Sequence, residues 1–220
     1  MISNFYFLFT IFYFFMPHID NLTNLFMKFP GIGTRQAKRF VYFLLAQNPH
    51  FVEQLAYEIS LLQKSITRCE LCFRFYSIKM DKENNICDIC INNTDNMTLL
   101  VVEKDTDFES VKRSGNYAGK YFILGGTIPV LTIDPASKIR INELVTRIRK
   151  GGVLGLKEVI LALSSNPESD FTREYIIKIL TPVANEIGII ITSLGRGLST
   201  GTELEYSDRD TLHHALKNRG

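Results

Sequence analysis

The chain has 220 residues, 45% of them hydrophobic, and a formal net charge of only +2. That length suits one large domain or two to three small ones, with enough apolar content for a real core. The near-neutral charge excludes a basic field over the whole surface, so a site for any polyanion has to be local.

The first element is unusual. Phe5 to Met16 reads FYFLFTIFYFFM, almost wholly apolar and aromatic. It is shorter than the roughly 20 residues a membrane span needs. No Lys or Arg precedes it and no small-residue cleavage site follows. A weak membrane anchor, a docking segment and a stretch without function all fit. The reading adopted is the last, with translation starting at Met16 and no membrane as partner.

Residues 20–62 read as helical. Leu22, Leu25, Phe26 and Phe29 recur at helical spacing until Pro30. A second helix starts near Thr34, with Ala37, Phe40, Val41, Leu44 and Leu45 on one face, and stops at Asn48-Pro49. A third covers about 51–63, with Val52, Leu55, Ala56, Ile59 and Leu62 expected inside. Residues 66–95 lack periodicity and carry every cysteine.

From Thr98 short apolar runs alternate with helical patterns. The runs are LLVVE (99–103), KYFIL (120–124), EVILAL (158–163) and GIIITSL (188–194), with helices expected near 106–113, 141–150 and 171–181. Continuous apolar strands between helices imply a mostly parallel sheet covered on both faces. The tail from 196 reads as a polar loop and a short helix capped by Asp208. The reading is therefore a multidomain α/β chain: a leader over 1–18 outside the fold, a helical unit over 19–65, a cysteine module over 66–95, an α/β domain over 98–195 and a loop and helix over 196–220.

Three constellations carry chemistry. Phe29-Pro30-Gly31-Ile32-Gly33 joins the first two helices. Two glycines let the backbone turn sharply and approach a ligand closely. The turn amides and the free N–H groups of the next helix then converge where a phosphate oxygen fits. Arg35, Lys38 and Arg39 follow, and no Asp or Glu lies between Asn21 and His50. Such a helix-hairpin-helix grips backbone rather than bases, so it suits single- and double-stranded DNA without sequence preference and with strong salt dependence. A plain helical turn with a solvated basic face is the alternative. A dinucleotide-binding loop is excluded, since Gln36 replaces the third glycine and no strand precedes. One hairpin grips weakly, so several copies in a homo-oligomer are expected to act together.

Cys69-x-x-Cys72 and Cys87-x-x-Cys90 are separated by fourteen residues. Two such knuckles offer four thiolates in a tetrahedron, the pattern of a structural zinc site with no open position; disulfides or a redox CxxC are the alternatives, the latter lacking a thioredoxin-like context. Clustered cysteines also fit a reducing, cytoplasmic setting better than secretion.

Glu103 closes the first strand of the sheet, and Glu168 and Asp170 follow the third. Carboxylates at strand ends face the crevice where α/β sheets bind ligands, and three of them can hold Mg²⁺. Asp105 and Asp107 could add to the set. Helix capping by these acids is the equal alternative. Neither a Walker A lysine after Gly195–Gly201 nor a histidine triad is present, and His213 and His214 point about 100° apart on a helix.

In this order the motifs resemble the RecR family of recombination mediators, from about Ile19 to Arg219. FPGIG (29–33), the cysteine quartet, LLVVE, SGNYAGKYFILGG (114–126) and GRGLSTGTELEYSDRDTL (195–212) carry the resemblance. It implies a Toprim fold over 98–195, DNA binding by Arg35 and Arg39, a ring-like homo-oligomer, and partnership with RecO and RecF in placing RecA on single-stranded DNA at gaps. It also implies that Glu103 is the Toprim glutamate and that Glu168 to Thr172 matches Glu-Gly-Glu-Ala-Thr. Ser169 departs from that pattern, as do Phe122 for a usual His, Ser199 for Pro and Thr202 for Gly; the loop after Asn166-Pro167 and the one over 127–135 are short. A non-enzymatic mediator is expected. A Mg²⁺-dependent Toprim nuclease and a protein-interaction scaffold are the alternatives.

Overall fold

A computed structural model describes residues 18–78 and 85–195 and, singly, Glu205, Arg209 and Thr211. The leader with Met16, and Ser199, Thr202, the Asp208 cap, His213 and His214 in the tail, lie outside the described residues. Those residues fall into two compact units, one ending at Ser65 and one beginning at Ile66.

The first unit holds helices α1 (His18–Phe26), α2 (Thr34–Leu45) and α3 (Pro49–Ser65). Helices α1 and α2 pack through Thr23, Ala37 and Val41, all buried, and through Phe26, whose ring meets Phe40 edge-on at 5.6 Å. Asn48 and Pro49 end one helix and open the next. The Asn48 side-chain oxygen accepts from the Phe51 N–H at 2.9 Å, and proline suits the first helical position, so α3 starts two residues before the predicted 51.

One expectation fails here. The apolar side of α3 was read as inward-facing, yet none of its residues is buried, and Ile59 and Leu62 are 63% and 61% exposed. Leu55 and Leu61 alone of its residues are half-buried. The periodicity makes the helix, but not the partner that would bury it.

The second unit opens with a short antiparallel pair, β1 (Ile66–Arg68) and β2 (Phe75–Ser77), and a one-turn helix α4 (Asp88–Asn92). The sheet follows: β3 (Thr98–Val102), β4 (Lys120–Ile123), β5 (Glu158–Ala162) and β6 (Ile190–Ser193), all parallel, in the order β4-β3-β5-β6. Helices α5 (Asp105–Ser114), α6 (Ile141–Val153) and α7 (Pro167–Ile187) make the crossovers.

Both faces of the sheet are covered, as the unbroken apolar strands require. On one face Leu99, Val101, Phe122, Val159 and Leu161 meet Leu144 and Ile148 of α6 and Ile176 and Leu180 of α7. On the other face Leu100, Val102, Tyr121 and Ile123 meet Phe108 of α5 and all four cysteines. The cysteine module thus shares a core with the α/β domain.

Helix α7 is ten residues longer than the predicted 171–181. Asn166 caps it by accepting from the Ser169 N–H at 2.9 Å. The helix also runs through Pro182, because Val183 and Ala184 continue its buried face; that packing outweighs the bond a proline forfeits.

Candidate functional site

The turn at 29–33 has the geometry its sequence asks for. The Ile32 N–H donates to the Phe29 carbonyl at 3.2 Å, and the Ala37 N–H to the Gly33 carbonyl at 2.9 Å. Gly31 lies at φ 76°, a left-handed conformation that favours glycine. Gly33 is different: its backbone is extended (φ −86°), and a Cβ built there meets no atom within 4 Å. Among the described residues nothing crowds position 33, so the backbone there is open to approach. Gly33 also offers α2 no side-chain cap, which leaves the first-turn amides to an external acceptor. Arg35, Lys38 and Arg39 are exposed. Arg35 and Arg39 are one turn apart on one face, and Arg39 is steadied by donating to Gln36 Oε1 at 3.4 Å.

The four cysteines are buried and unpaired by disulfides. Their sulfurs all lie within 4.8 Å of one another, with 3.9 Å between Cys69 and Cys90 and 3.6 Å between Cys72 and Cys87. A disulfide would need about 2.05 Å. Four sulfurs about 2.3 Å from one tetrahedral ion sit about 3.8 Å apart, which these separations match. Burial disfavours the charged form of each thiol, and a divalent cation offsets that cost by deprotonating every ligand it binds. The quartet can therefore hold a metal ion.

Backbone bonds fix the cluster to the sheet. The Ile123 N–H donates to the Cys72 carbonyl at 2.9 Å, so the knuckle caps the edge strand β4. The Cys87 N–H donates to Cys69 Sγ at 3.4 Å. Phe73, just after Cys72, takes φ 64°. Its ring packs on Phe122 at 5.3 Å and under the Arg140 guanidinium at 5.4 Å, contacts that offset the strain of a bulky residue there. Phe122 is wholly buried in this pairing.

The third set lies at the strand C-terminal ends. The chain leaves β3 for β4 on one side and returns as β5 on the other, so the switch point falls between β3 and β5. Glu103 sits there, 3% exposed, accepting from the Ser164 N–H at 2.8 Å and the Ser164 hydroxyl at 3.2 Å. Glu168 and Asp170 lie in the first turn of α7. Glu168 accepts from the Thr127 hydroxyl at 3.1 Å, and Asp170 pairs with Arg173. Asp105 and Asp107 lie in the first turn of α5, and Asp107 accepts from the Lys104 N–H at 3.0 Å. Each acid thus has a protein partner or a helix N-terminus to stabilise it. Among the described residues the cysteines form the one group of three or more donors close enough to hold an ion.

Sequence reasoning missed Ser164 and Thr127. Each acts through a contact distant in sequence, and no spacing signals it.

A Toprim domain model matches residues 97–193, and a model described as "RecR, C-terminal" matches 197–219. Recombination protein RecR of Lactobacillus acidophilus is 36% identical over 203 residues, covering 91% of this chain and 96% of that protein. The same-named protein of Treponema denticola is 37% identical over 205 residues, 93% and 98% of the two chains. That of Chlorobium chlorochromatii is 33% identical over 202 residues, 91% and 95%. With its hairpin, cysteine quartet and four-stranded parallel sheet in this order, the chain belongs to the RecR family.

Proposed function

We propose that this chain is a DNA-binding mediator of recombinational repair that works in the cytoplasm without catalysing a reaction of its own. It acts with RecO and RecF to help place RecA on single-stranded DNA at gaps. The observation that carries the reading is the hairpin: a left-handed Gly31, an unobstructed Gly33 and exposed Arg35, Lys38 and Arg39 surround uncapped helix amides. That is a sequence-blind grip on phosphate, for single or double strands. The name carried by the relatives, recombination protein, points the same way.

The quartet holds a structural zinc, since four sulfurs leave no position for a substrate. The uncovered apolar side of α3 favours a homo-oligomer. The acidic turn at Glu168 is bonded to the loop whose Leu131 and Ile133 stand fully outward, which suits a protein partner better than Mg²⁺. A nuclease reading has less support, because Glu103, Glu168 and Asp170 are each engaged by the protein.

The test is recombinase loading onto gapped DNA coated with single-strand-binding protein, with RecO present. The wild type speeds RecA assembly, and Arg35→Ala with Arg39→Ala does not. A wild type that ignores single- and double-stranded DNA at low ionic strength, RecO present, refutes the proposal.

A further inference from the structure

The cysteine centre has a charge imbalance. A divalent ion held by four thiolates would carry two excess negative charges, and the four cysteines here are packed among Leu100, Val102, Phe108 and Ile123. Burying uncompensated charge is costly. Arg74, two residues after Cys72, lies against this centre. Its backbone carbonyl accepts from the Cys69 N–H at 2.9 Å, so the residue is fixed to the knuckle. Its side chain is 9% exposed. The guanidinium stands 5.4 Å from the Phe108 ring centre and 5.9 Å from that of Tyr76.

One Nη nitrogen pairs with Asp88, whose own side chain is 46% exposed. That pair holds only the outer end. Nε is buried and has no hydrogen-bond partner. On the far side, Lys120 of β4 donates to the Cys90 carbonyl at 3.2 Å. A buried arginine with an orphaned inner nitrogen beside a sulfur cluster asks for a negative centre at the cluster.

We propose that Arg74 is the counter-charge of the four-cysteine centre, a positioning residue that slows loss of the bound ion. The inference rests on the zinc reading above. The Arg74 charge would offset the excess negative charge of the ion with its four thiolates, much as hydrogen-bonded outer-shell partners support other metal sites. Asp88 orients the guanidinium, and the rings of Phe108 and Tyr76 shield it from water.

The experiment uses the purified full chain, assayed first for zinc. Release is then followed with a chromogenic chelator in the wild type, Arg74→Met and Arg74→Lys. Arg74→Met keeps bulk and loses charge; zinc affinity falls about 10- to 100-fold, the usual cost of an outer-shell loss. Arg74→Lys restores most of the retention. In cobalt-loaded protein the thiolate-to-metal charge-transfer band moves to longer wavelength in Arg74→Met alone, a change that lost packing would not produce. Wild-type retention in Arg74→Met, or a Lys variant as leaky as Met, overturns the proposal. Absence of metal from the wild type refutes the zinc reading instead. Should Arg74→Met fail to fold, Arg74→Gln takes its place on the same criteria: release faster than wild type is expected, and wild-type retention overturns the proposal.

Discussion

Replacing Arg35 and Arg39 together by alanine tests the hairpin directly. The segment from Asn21 to His50 carries four basic side chains, Lys28, Arg35, Lys38 and Arg39, and no acid. If each engages one phosphate, log affinity for duplex falls against log salt with a slope of about −3.6 per hairpin, and two contacts leave about −1.8. Between about 50 and about 200 mM salt that is a loss of about 150-fold for the wild type and about 12-fold for the variant, per engaged hairpin. The slope halves whatever number of copies engages, because each hairpin loses the same share. Fluorescence anisotropy of a labelled duplex across salt reads it, and a labelled single strand should show the same halving from a shallower start. The two side chains are exposed, so the circular dichroism spectrum should not change. A folded variant with the wild-type slope refutes the argument.

Chelation, or Cys72→Ser, is expected to loosen more than the knuckle: amide exchange should quicken in β4 and α5 as well as in 66–95, because the sulfurs share a core with Phe108, Tyr121 and Ile123. Protection in β4 that survives metal removal would show that the sheet face stands without the quartet. Glu103→Gln leaves one oxygen for Ser164 but removes the charge, so denaturant unfolding should register a loss of about 1.5–3 kcal/mol. With Mg²⁺ neither protein should cut labelled DNA; cleavage lost in the variant would revive the nuclease reading. Burial pushes Tyr117 up to about 12 from 10.0. The folded state then holds its proton longer than the unfolded chain, so this contribution is complete below pH 10 and is lost as pH rises towards 12. Comparing alkaline denaturation of Tyr117→Phe with the wild type checks it, and identical profiles above pH 10 would refute it.

The strands were legible because burial on both faces forces unbroken apolar runs; three of the four expected runs contain the observed strands, and the first misses only Thr98. The quartet was legible from its spacing. Strand order was not, since an apolar run such as LLVV does not record its neighbours. The same uniformity hid that Leu100 and Val102 face the cysteines while Leu99 and Val101 face α6 and α7. Of the acids, the sequence placed Glu103 at the strand end, but its bond to Ser164 spans 61 residues and leaves no local trace. The outward side of α3 was misread because helical spacing marks an apolar stripe whether or not the chain supplies its cover.

Sulfur atoms that serve as core atoms are closed to oxidants. Cys69, Cys72 and Cys87 are at most 1% exposed, and thiol oxidation follows accessibility as well as thiolate character. In a protein whose relatives are named for recombination, these three sulfurs stay shielded from peroxide until the sheet face itself opens. The rate of inactivation by oxidant should therefore follow the rate of local unfolding rather than the oxidant concentration.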